Sequence, residues 1–120
     1  VSMSIDRASE GKTFGVVSVT SLDRSASLQD ADRVLVTTVA RARNTGMRYN
    51  EAKPRLLKAG RAPARMEPLS VDLAIRRSET PTVRVLDHGG RPTGTTIPVD
   101  RRSVTLDGAE HQAIYYELRY

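Results

Sequence analysis

Polar and apolar positions alternate with a period of two along most of the chain. Between residues 33 and 43, Val34, Val36, Thr38, Ala40 and Ala42 fall on one face, and Leu35, Thr37, Val39, Arg41 and Arg43 on the other. β-Branched side chains at this spacing predict a strand with one buried face. The strand runs into Asn44-Thr45-Gly46, a turn signal, and then into Met47, Arg48, Tyr49 and Asn50. Arginines and a tyrosine at the end of a stiff element suit display of a binding surface better than catalysis.

The same reading extends in both directions. Val1, Met3 and Ile5 alternate with polar residues and predict a short first strand, followed by a polar loop over 7–12. Residues 13–21 predict a second strand, with Val17 and Val19 on one face and Phe14, Val16 and Ser18 on the other. Gly15 within it marks a bulge or a close backbone approach. Residues 22–32 read as a loop with a short helical turn at 27–31, carrying the chain from one sheet to the other.

Residues 51–64 are punctuated by Pro54, Gly60 and Pro63 and read as irregular. Leu56 and Leu57 are expected to pack there as a lid over a sheet edge, with an amphipathic helix as the competing reading. Leu69, Val71, Leu73 and Ile75 give the cleanest alternation in the chain, against Ser70, Asp72, Ala74 and Arg76. A strand follows at 82–86, then the turn Asp87-His88-Gly89-Gly90, whose glycines supply the positive φ that hairpin turns need. Residues 93–99 predict an edge strand and 103–106 another, with Asp107-Gly108 as a hairpin turn. Ile114, Tyr116 and Leu118 face one way in a last strand, and Tyr115, Glu117 and Arg119 the other. The pattern predicts an all-β chain, an antiparallel β-sandwich of about eight strands.

Composition narrows the function. The 120 residues suit a single β-sandwich domain over 1–120, with no apolar run near the roughly 20 residues that cross a bilayer. The chain starts at Val1 without a charged-then-apolar leader, so a processed chain or an excised module is expected. Cysteine is absent, which excludes a disulfide scaffold and a thiol nucleophile. The net charge of +5 comes almost entirely from arginine, and these arginines stand beside Asp and Glu along the chain, so a solvated surface is expected.

Candidate chemistry is sparse. His88 and His111 lie on different turns with no metal-ligand spacing, and there is no GxSxG elbow. Asp23, Asp30 and Asp32 share one loop but lack the alternation and glycine of a calcium loop; no cofactor is expected, a structural calcium being the one to consider. Glu67 and Glu117 read as surface charges paired with Arg65 or Arg119. Sugar recognition needs a ring against the apolar face of a pyranose and hydrogen-bonding side chains around it. Tyr49, Arg43, Arg48, Asn50 and Tyr115 are the candidate ligand-binding set. Tyr116 reads as core. Arg41, Arg43 and Arg48 form a cluster that suits the carboxylates of an acidic polysaccharide or acidic residues of a neighbouring catalytic domain, and the second is the expectation, because a module of a larger enzyme needs a docking face. Basic residues interleaved with aromatics are missing, so nucleic acid is not an expected partner, nor is a membrane.

Four ordered segments carry a resemblance: VVSVTSLD at 16–23, RVLVTTVARARNTGMRYN at 33–50, ARMEPLSVDLAI at 64–75 and AIYYELRY at 113–120. They resemble the C-terminal β-sandwich module that follows the (β/α) barrel in some bacterial glycoside hydrolases. Tyr49 stands at the family's aromatic after NTGM, Arg24 at a glycine, and Tyr115 or Tyr116 at a tryptophan. The resemblance implies a non-catalytic accessory module, secreted, with polysaccharide or a glycosidase catalytic domain as partner. It places the catalytic carboxylates in a separate domain. A purely structural or protein-interaction domain is the alternative.

Overall fold

The computed structural model describes residues 2–6, 14–50 and 55–120. Val1, the loop expected at 7–12, Thr13 and the 51–54 part of the punctuated stretch lie outside the described residues. The chain is all-β with antiparallel pairing. Its strands are β1 (Ser2–Asp6), β2 (Gly15–Ser21), β3 (Arg33–Ala40), β4 (Ala42–Thr45), β5 (Arg48–Asn50), β6 (Arg55–Lys58), β7 (Arg61–Met66), β8 (Ser70–Ala74), β9 (Thr82–Leu86), β10 (Pro92–Ile97), β11 (Ser103–Asp107) and β12 (Tyr115–Arg119). A single helical turn, α1 (Gly108–His111), precedes the last strand.

Two sheets hold the core. One has the order β1-β8-β11 and the other β10-β9-β12-β3-β2. Val71, Leu73, Ile75, Val104 and Leu106 from the first sheet, with its immediate flank, join Val34, Val36, Val83, Val85, Tyr116 and Leu118 from the second in one buried cluster. Burying a side chain of this size contributes about 1.5–3 kcal/mol. The alternation read from the sequence thus reports the core face correctly in β3, β8, β9 and β12. Gly15 marks neither a bulge nor a close backbone approach: it pairs with Ala40 in unbroken register, and a Cβ there would meet the Leu69 side chain, 2.9 Å from Cδ1. Thr38 is the polar exception, buried on the core side of β3 with no partner for its Oγ1 among the described residues.

The connections differ from expectation in two places. The 22–32 loop does not cross between sheets; it joins β2 to β3, which are neighbours in one sheet. Asp23 Oδ2 holds it by accepting the N–H groups of Asp32 (2.7 Å) and Arg33 (3.1 Å), and the expected turn closes with Ala31 N–H donating to the Ser27 carbonyl. Asp107-Gly108 is not a hairpin turn. Asp107 caps α1, accepting from Ala109 N–H (2.9 Å) and Glu110 N–H (3.1 Å), and the chain passes from the first sheet to the second. A carboxylate before glycine satisfies a helix start as well as it does a turn.

The Asp87 turn does join two neighbouring strands, β9 and β10, and β10 is the expected edge strand. The Asp87 carboxylate accepts the N–H groups of Arg91 and Gly89. The Arg91 N–H in particular holds its pKa below the usual value, against a smaller opposing effect of desolvation.

Residues 42–50 and 55–66 pair outside these two sheets. β4 pairs with β7 and β5 with β6, in two small sheets that are consecutive rungs of one antiparallel ribbon. The Glu67 N–H donates to the Arg41 carbonyl (2.9 Å) and closes the ribbon's base. The molecule measures 50 × 27 × 26 Å, with a radius of gyration of 16.4 Å. A compact chain of this length has about 14 Å.

Candidate binding surface

The ribbon corrects two expectations and bears out a third. The strand predicted over 33–43 breaks at Arg41: β3 stays in the body and β4 starts the ribbon. The turn expected at Asn44-Thr45-Gly46 is present, with Met47 N–H donating to the Asn44 carbonyl (3.1 Å), and Gly46, at φ +76°, bends the outgoing strand there. The described part of 51–64 is neither lid nor helix but the return strands β6 and β7, and Leu56 and Leu57 are exposed.

Two glycines set the ribbon's shape. Gly60 faces the bend at Gly46 with φ +75°, and a Cβ on it would come within 2.7 Å of the Thr45 carbonyl oxygen and 2.8 Å of the Met47 nitrogen. The register shifts at this point, between Asn44 and Thr45. Thr45 Oγ1 donates to the Pro63 carbonyl (2.8 Å) and Asn44 Nδ2 to the Ala59 carbonyl (3.3 Å), fastening the bulged rungs.

Four of the five candidate ligand-binding residues meet on this element. Arg43 lies on β4, and Arg48, Tyr49 and Asn50 form β5. The Arg43 guanidinium sits 5.5 Å from the centre of the Tyr49 ring, and Tyr49 remains 44% exposed. Such a cation–π contact fixes the ring's orientation at modest energy, about 0.5–1 kcal/mol when exposed. Tyr115 stands apart. It is half-buried on β12, between Thr37 and Leu86 on the face away from the core. Tyr116 is fully buried; its hydroxyl donates to the Ala113 carbonyl (3.3 Å), and burial, with the Asp107 charge adding to it, pushes its pKa up to about 12.

The return strand supplies cations that the sequence reading left out. Arg65 lies directly opposite Arg43, and Lys58 opposite Arg48. Arg41, Arg43 and Arg65, with Met66 and Glu67, line a groove of about 370 Å³ at the ribbon's base. Like charges directly opposite on a ribbon repel, which a counter-charge relieves. The arginines are therefore not evenly spread. Residues 42–66 hold seven basic side chains against the single acid Glu51, a net of +6; the rest of the chain holds twelve basic and thirteen acidic residues, a net of −1. A count over that window was the signal available in the sequence.

The remaining candidates lie in the body. Glu117 is not a surface charge paired with Arg65 or Arg119: its side chain is 5% exposed, and Oε1 accepts from Arg33 Nη2 (2.7 Å) and Nε (2.8 Å). Glu67 lies off the strands, after β7, on the basal groove. His88 is an exposed turn residue, and His111 packs edge-on against Tyr116 at 6.3 Å. Among the described residues no three His, Cys, Asp or Glu side chains converge to hold a metal ion. A second groove, about 850 Å³, opens between β10 and β11, with Thr93, Thr95, Ser103, Asp100, Glu110 and His111 among its lining. The chain matches no family model, no curated protein and no solved structure.

Proposed function

We propose that the chain is a non-catalytic accessory module of a secreted bacterial carbohydrate-active enzyme, with the ribbon as its contact surface. In this reading the three- and five-stranded sheets are the two layers of an eight-stranded β-sandwich, and the body is a carrier. The observation that carries the proposal is the exposed Tyr49 ring, held by Arg43 on a projecting ribbon beside Arg48 and Asn50. The ring stacks on the apolar face of a sugar, and the arginines and Asn50 hydrogen-bond to its hydroxyls. The four segments that resemble glycoside hydrolase modules support the same reading, and with it a catalytic barrel in a separate domain.

The test is affinity gel electrophoresis of the chain through neutral and acidic polysaccharides. At least one glycan is expected to retard it, and Tyr49→Ala to weaken that binding about tenfold, or about 1.4 kcal/mol. Unchanged retardation of a folded Tyr49→Ala chain removes Tyr49 from the site.

A structural or protein-interaction domain is the second reading, and it draws on Leu56 and Leu57, 48% and 60% exposed on the same ribbon. Apolar side chains of this size in the open suit a protein surface. Migration unaffected by every glycan favours it.

A further inference from the structure

We propose that the ribbon's ligand is an acidic polysaccharide, a chain of sugar rings bearing carboxylate or sulfate groups, gripped between its two strands' arginines. This rests on the accessory-module reading and names its ligand class. The charge is the first argument. The molecule's net positive charge is carried by the 25 residues 42–66, at +6, while the rest of the chain, at −1, is close to neutral.

Placement is the second argument. Arg43 faces Arg65 across the ribbon, and Arg48 faces Lys58 five positions further along β4 and β5. Each row sets two cations side by side, and a guanidinium fork binds an oxyanion through two parallel hydrogen bonds. Two rows on one element match a repeating anion on a linear chain better than a single ion.

The side chains next to the cations choose among polyanions. Tyr49 pairs with Leu56, so an apolar rung lies beyond the cationic rows. A sugar chain offers both oxyanions and apolar ring faces. A single-stranded nucleic acid asks for a series of stacking rings, and the ribbon's sequence holds Tyr49 alone. An anionic bilayer asks for an apolar end that enters first, yet the outermost described pair is Asn50 with Arg55, both polar and exposed.

The experiment compares polygalacturonate, dextran sulfate, neutral dextran, duplex DNA and phosphatidylserine vesicles as probes of the whole chain. Both acidic glycans are expected to bind, and about 1 M salt, where the Debye length is about 3 Å, to release them. Arg43→Gln combined with Arg65→Gln is expected to weaken polygalacturonate binding at least tenfold, about 1.4 kcal/mol. That pair removes a repulsion, so the ribbon is retained, and Arg91→Gln on the β9–β10 turn serves as the neutral control. Neutral dextran bound equally by the double variant, with no preference for acidic glycans, overturns this inference and leaves the module reading standing. DNA or vesicles bound as tightly as the glycans overturns it too. No glycan bound at all overturns both.

Discussion

Glu117 shows what a single residue adds to an alternating pattern. The period of two placed it on the face opposite Tyr116 and Leu118, and it is there. The period does not report how deep a position lies. β12 is the central strand of five, and Glu117 is flanked by Leu35 on β3 and Arg84 on β9, so the outer face covers it too. Its carboxylate is buried while Arg33, which reaches it from β3, is 51% exposed. Removing Arg33 strands the charge. Arg33→Met is expected to lower stability by about 1–2 kcal/mol, less than a fully buried pair because water reaches the arginine side. Arg33→Met with Glu117→Met is expected to recover most of the loss, since two apolar side chains replace the pair at little cost. Urea unfolding of the wild type, both single variants and the double variant measures the coupling; no coupling refutes the pairing. The turn at Arg101 and Arg102 was equally hidden. Both residues adopt positive φ, 47° and 62°, between the bridged residues Asp100 and Ser103, where sequence rules look for Gly or Asn.

Among the elements, those of the body were legible and those of the ribbon were not, for one physical reason. β8, β9 and β12 each bury one face, so their apolar residues alternate. β4, β6 and β7 bury neither face, every described position but Thr45 being exposed, and no alternation is imposed on them. What remains in the sequence is Pro54, Gly60 and Pro63, which read as loop punctuation. Gly60 has a different role: it accepts positive φ where a side chain would meet the Thr45 carbonyl. Gly60→Ala therefore combines a left-handed backbone, about 1–2 kcal/mol, with a steric conflict. The variant is expected to lose the β4–β7 rungs and keep the body. Hydrogen exchange should accelerate over 42–66 and stay unchanged in β3, β8, β9 and β12. Slowed or unchanged exchange in the ribbon contradicts the role given to Gly60.

At the scale of the whole molecule the division is one of charge and of core. All thirteen residues of the buried cluster lie outside 42–66, and nearly all the net charge lies inside it. A two-stranded ribbon with no buried face adds little to stability. Its ends meet at the Glu67 N–H to Arg41 carbonyl bond, so it can be removed without opening the body. Replacing 42–66 by a short Gly-Ser linker is expected to change unfolding free energy by less than about 1 kcal/mol, because closing a short flexible loop costs little. Net charge would change from +5 to −1, moving the isoelectric point from about 10.1 to the acidic side. Calorimetry and isoelectric focusing read both effects on one sample. A chain that no longer unfolds cooperatively after the excision would make the ribbon part of the folding unit, and its charge a by-product of that role. A stable acidic body that no longer retards on acidic glycans would instead separate the two: the sheets hold the fold, and the ribbon holds the ligand.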